Sequence, residues 1–129
     1  MALMVPNVGE REILTRALTY EGSKLKLYTN DYTCTETSVI GNFTEAAVVG
    51  YAHKTLATGT WVVSTATNIT TASYAEQEFL PTTAVSCYGY MVSNSAGTVL
   101  IYAERFTGAP FVLPAGGGSI KVTLNITGD

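Results

Sequence analysis

The chain has 129 residues, 47% of them hydrophobic and 13% charged, and carries a formal net charge of −3. That length suits one compact domain, while charged residues are at about half the roughly one-quarter share usual in globular chains. Such a composition excludes intrinsic disorder, and an acidic balance argues against nucleic-acid binding, which uses basic stripes to displace counterions.

The first residues, Met1-Ala2-Leu3-Met4-Val5-Pro6, have no basic segment and no long apolar run, so no signal peptide is expected. No stretch of about eighteen apolar residues exists, so no transmembrane helix is expected either. One segment has helical periodicity. From residue 10 to residue 20, Ile13, Leu14, Ala17 and Leu18 form an apolar stripe, with Glu10 and Glu12 in the favourable first turn. Asn7 is placed to cap this helix and Gly22 to stop it.

From Lys24 onward the period becomes two. Lys24-Leu25-Lys26-Leu27-Tyr28-Thr29 alternates as a strand does, and residues 30–38 then read as a long polar loop. Further strands are expected at 48–56, 60–64 and 71–79, the last ended by Pro81. A hairpin follows, with 88–92 and 98–103 flanking a loop of about five residues that contains Gly97. Phe111-Val112-Leu113 stands between glycine-rich turns, and 119–127 alternates cleanly to the end. Seven or eight strands at this cadence predict a mostly β chain, an antiparallel β-sandwich or jelly roll, with one short N-terminal helix. A single domain spans 1–129, with an N-terminal arm at 1–9, the helix at 10–20 and the sandwich at 24–127.

No catalytic constellation stands out. His53 is the only histidine and reads as a solvent-facing strand residue beside Lys54. Glu76 and Glu78 share one strand face, where such pairs are usually solubilising charge rather than a glycosidase pair. Acidic residues are too sparse for a calcium loop, and Gly116-Gly117-Gly118 lacks the Lys-Ser/Thr ending and following helix of a phosphate loop. Cys34 and Cys87 lie far apart without metal or redox spacing, and two free thiols are expected. Tyr51, Trp61, Tyr74, Tyr90 and Tyr102 sit at strand positions that favour packing. The chain is thus read as a non-enzyme without cofactor or metal. Its low charge suits lasting contact with another protein, since obligate interfaces are depleted of charge at their centres.

Three stretches carry a resemblance. Val5-Pro6-Asn7-Val8-Gly9-Glu10 leads into Leu25-Lys26-Leu27-Tyr28-Thr29-Asn30. The centre holds Phe43-Thr44-Glu45-Ala46, Gly50-Tyr51-Ala52, Leu56 and Trp61. The end holds Tyr88-Gly89-Tyr90 and Leu100-Ile101-Tyr102-Ala103-Glu104-Arg105-Phe106. This layout resembles small virion structural proteins of tailed bacteriophages, most closely capsid decoration (cement) proteins, over nearly the whole chain.

The resemblance implies a jelly-roll-like body made in the host cytoplasm that resides on the capsid surface of the virion. Its implied partners are the major capsid protein and copies of itself, in trimers for preference or in dimers. The candidate capsid or subunit contacts are Ala2, Leu3, Met4, Val5 and Pro6, together with Asn30, Asp31 and Tyr32 of the polar loop. Two other readings predict different observables. A tail, baseplate or host-glycan adhesion module predicts exposed aromatics at its loops. A small hydrolase predicts a pocket holding His53 or a glutamate pair.

Overall fold

The computed structural model describes residues 4, 6–19 and 22–128. It is a mostly β protein of antiparallel sheets with one short N-terminal helix, α1 (Asn7–Thr19). Nine strands follow: β1 (Ser23–Tyr28), β2 (Lys54–Leu56), β3 (Val62–Ala66), β4 (Ile69–Phe79), β5 (Val85–Cys87), β6 (Gly89–Ser93), β7 (Leu100–Arg105), β8 (Phe111–Leu113) and β9 (Ile120–Gly128). They form a four-stranded sheet in the order β2-β1-β6-β7, a three-stranded sheet β3-β4-β9, and the pair β5-β8.

The main core gathers inward side chains from all three sheets. Leu25, Leu27, Leu56, Tyr90 and Val92 meet Ala72, Tyr74, Phe79, Ile120, Val122 and Leu124, with Val85, Cys87 and Leu113 closing one side. Alternation explains this membership, because every second residue of a strand points to the same face. In β4 the inward set switches from Thr70, Ala72 and Tyr74 to Phe79, because a bulge between Tyr74 and Gln77 inserts one extra residue opposite β9. The four-stranded sheet is buried on its other face as well, where Tyr28, Phe43 and Met91 form a second cluster.

Helix α1 starts at Asn7 rather than at residue 10, within the segment expected as an arm. The chain already turns at Pro6, whose carbonyl accepts the Gly9 N–H at 2.7 Å. Asn7 therefore lies within the helix, and its amide donates to Asn68 Oδ1 in the β3–β4 turn at 3.0 Å. The buried stripe is narrower than expected. Leu14 and Leu18 pack into the main core, while Ile13 and Ala17 face outward. A helix that meets β3 and β4 along one line needs only an i, i+4 pair for that contact.

The strand expected at 48–56 shrinks to Lys54–Leu56. Val48-Val49-Gly50-Tyr51 is instead a tight turn, closed by Tyr51 N–H to Val48 O at 3.1 Å, with Gly50 at φ +84°. A side chain at Gly50 would also run into the backbone of Leu80 and Thr82, so β-forming valines here yield to a turn that only glycine fits. Both cysteines are free, Cys87 buried and Cys34 partly so.

Candidate functional site

Between β1 and β2 the chain lays residues 29–47 across the outer face of the four-stranded sheet. Thr29 N–H to Thr44 O at 2.8 Å and Ala46 N–H to Leu27 O at 2.9 Å zip the returning segment along β1, around a Tyr28–Glu45 bridge. Asparagines replace regular ladder bonds within the segment. Asn30 donates to Asn42 O and accepts from Thr44 N–H, both at 2.8 Å, while Asn42 Oδ1 accepts the Val39 N–H at 2.8 Å. Amide side chains suit such irregular backbone because each both donates and accepts.

Aromatic rings fill the space beneath. Phe43 meets Tyr28 and Tyr32 edge-on, with centroids 4.9 and 5.0 Å away. Such pairs add about 0.5–1.5 kcal/mol each beyond burial. Gly89 is required opposite Tyr28, since a Cβ there would overlap both the Tyr28 ring and the Glu104 carbonyl. The Tyr28 hydroxyl donates to Tyr32 O at 3.1 Å, and the Tyr32 hydroxyl meets Ser38 Oγ at 2.9 Å. Arg105 of β7 fastens the near end of the loop. Its guanidinium pairs with Asp31 at 2.6 Å and lies 5.2 Å from the centre of the Tyr88 ring. What faces outward is a lobe of Thr33, Thr35, Glu36, Thr37 and Val39, with Val39 59% exposed.

Glu45 joins this lobe to the edge of the main core. One carboxylate oxygen lies 3.3 Å from Lys26 Nζ, and the other accepts the Tyr51 hydroxyl at 3.1 Å and lies 3.8 Å from His53 Nδ1. The Lys26 side chain is only 12% exposed, so Glu45 is the counter-charge that makes its burial tolerable. Tyr51 also takes the Leu27 N–H on its hydroxyl oxygen. Burial pushes its ionisation well above the ordinary phenol range and outweighs that N–H bond, so Tyr51 stays a neutral donor. Tyr90 is likewise pushed up by burial and by its 2.6 Å bond to Glu104. Burial also raises the Cys87 thiol, to about 11, which leaves it a poor nucleophile.

The structure divides the sequence-derived contact residues. Met4 is 85% exposed and Pro6 is exposed, while Ala2, Leu3 and Val5 lie outside the described residues. Asn30, Asp31 and Tyr32 lie together over the four-stranded sheet, whereas α1, which follows Pro6, is anchored on the three-stranded one. Each of the three has work within the fold: Asn30 holds backbone, Asp31 pairs with Arg105, and Tyr32 packs on Phe43. His53 is an exposed residue just before β2, and among the described residues it makes no hydrogen bond to a serine, threonine or cysteine. Glu76 and Glu78 face outward and share Lys121 at 4.0 and 3.8 Å. Trp61, Tyr74 and Tyr90 are buried in the main core, and Tyr51 and Tyr102 pack against it.

Sequence reasoning passed over Glu45, which gathers Lys26, Tyr51 and His53 at the edge of the core. The alternation of Phe43 and Glu45 around Thr44 was the available signal, since it puts an aromatic and a carboxylate on one side of an extended segment. Among the described residues no group of three or more histidine, cysteine or acidic side chains is placed to hold a metal ion, and no helix is long and apolar enough to cross a membrane. Comparison with protein-family models, curated proteins and solved structures found no match to this chain.

Proposed function

We propose that this protein is a structural component of a tailed-bacteriophage virion, a decoration protein that binds the outside of the major capsid protein lattice and stabilises the head without catalysis. The jelly-roll organisation, the self-association and the capsid-surface location implied by the same resemblance are parts of this reading. The observation that carries it is the lobe at 33–39, an outward surface of threonines and Val39 with a single charge, held by asparagine clamps over an aromatic cluster. A surface held in shape before binding loses little entropy on contact, and one nearly free of charge is cheap to desolvate. Repetition over a lattice multiplies modest contacts into firm attachment. Stabilisation is then linkage, because a protein that binds the intact lattice better than its broken form favours the intact one.

The test is to incubate the full chain with matched heads that lack it, sediment them and count copies per capsid. Saturable binding in lattice multiples, with a raised melting temperature of the heads, is expected. Val39→Asp should weaken binding about tenfold or more, equivalent to about 1.4 kcal/mol, while leaving the fold intact. If deletion of residues 1–6 leaves occupancy unchanged, the N-terminal segment has no part in the contact. An absence of head binding would overturn the reading and favour host adhesion, for which Phe111, 47% exposed on β8, is the aromatic to examine.

A further inference from the structure

Strand β9 runs for nine residues at the edge of its sheet, and β4 is its only ladder partner among the described residues. No further backbone bond reaches its far side there. At about 3.3 Å per residue this is an open edge roughly 30 Å long. Folds normally blunt such edges by shortness, bulges, proline or inward charge. The other edges are shorter, and most carry one of these protections. β2, β5 and β8 are three residues long and β3 is five, while β7 is bulged opposite Val92–Ser93 and carries the Arg105–Asp31 pair. The bulge in the β9 sheet lies in β4, so β9 itself stays regular. Its one charged side chain among the described residues, Lys121, is exposed and already answered by Glu76 and Glu78.

We propose that β9 pairs antiparallel with the β9 of a second copy about a two-fold axis, joining two three-stranded sheets into one six-stranded sheet. With the axis at Leu124, Leu124 faces the partner's Leu124 and Val122 faces the partner's Ile126. On the outer side Thr123 faces the partner's Asn125, and Lys121 faces the partner's Thr127. No like charges meet, and the β-branched pairs are those that stabilise sheets. Ile126 packs against the main core but is only partly buried in the single chain, and this register covers it. The strand is therefore complementary to itself in charge and in backbone hydrogen bonding, as a two-fold interface requires. The inference rests on the edge alone and is independent of capsid binding.

Sedimentation equilibrium of the full chain should give a species of about twice 13.7 kDa. Thr123 and Asn125 are both exposed, so Thr123→Lys/Asn125→Lys should keep the monomer fold, checked by circular dichroism and melting. In the dimer it sets lysine opposite lysine twice, and the dissociation constant should rise about tenfold or more. Mixing that variant with Thr123→Glu/Asn125→Glu should restore a mixed dimer. A chain that stays monomeric up to about 100 μM overturns the proposal. So does an oligomer unaffected by the lysine pair, or a failure of the mixed variants to associate.

Discussion

The cluster between the sheets is assembled from strands whose side chains alternate, whereas the cluster of Tyr28, Phe43 and Met91 is closed by a segment with no repeating pattern. In the first, backbone hydrogen bonds run strand to strand, and the side chains need only be apolar and of suitable size. In the second, the backbone of 29–47 is irregular, so Asn30, Asn42 and Ser38 supply bonds that a ladder otherwise would, and Asp31 adds an ion pair to Arg105. The first arrangement tolerates changes of residue at constant volume. The second depends on particular side chains, and it carries the outward lobe proposed to meet a partner.

Four measurements would break or sharpen this contrast. Phe79→Ala in the main core should cost about 3–5 kcal/mol of global stability, read by denaturant unfolding; Phe79 is almost fully buried and stacks on Tyr51. Phe43→Ala should cost about 3 kcal/mol and act locally: hydrogen exchange should rise over 29–47 while β4 and β9 stay protected. If both variants lower protection everywhere alike, the two clusters are one cooperative unit and the contrast fails.

Asn30→Ala should cost about 1–2 kcal/mol, because the Thr44 N–H loses its acceptor and the Asn42 carbonyl its donor. Asn30→Asp should recover the acceptor alone and fall between the two. The smallest effect at working pH concerns the phenols. Burial raises Tyr51, Tyr90 and Tyr102 of the main core above the ordinary value of 10.0, and it raises Tyr28 too, although there the Arg105 charge opposes the shift. A folded-state value above the unfolded one means that the unfolded chain loses protons first. The stability these phenols contribute is therefore fully present below about pH 10 and is lost as pH rises beyond it. Melting temperatures should be insensitive to the tyrosines from pH 6 to about 9 and fall above pH 10. Tyr51→Phe should reduce that fall more than Tyr28→Phe does.

Much of the fold was legible in local pattern. The alternation of Lys24 to Tyr28 and of 120–127 placed β1 and β9 within a residue or two, because one buried face imposes period two on sequence, while the glycine-containing loop placed the β6–β7 hairpin, whose first strand is buried on both faces and does not alternate. The β5–β8 pair was half seen, with Phe111-Val112-Leu113 recognised and Val85–Cys87 missed, since three residues are too few to establish a period. Low charge and the absence of any period make Asn30, Asp31 and Tyr32 candidate contacts for a partner. Their bonds within the chain depend on Asn42, Thr44 and Arg105, which lie 12, 14 and about 74 positions away.

From its residues alone this chain is a charge-poor, mostly β domain with a short leading helix, because composition and side-chain period are local properties. Beyond the β6–β7 hairpin, which strands pair was settled only by the tertiary structure: β1 joins β2 and β6, and β4 turns to β9 across forty residues of sequence. The folding of 29–47 over an aromatic floor, the use of Glu45 to answer a partly buried Lys26 and the open edge of β9 were decided at the same level. Each arises from groups distant in the chain, whose meeting leaves no periodic mark on the sequence.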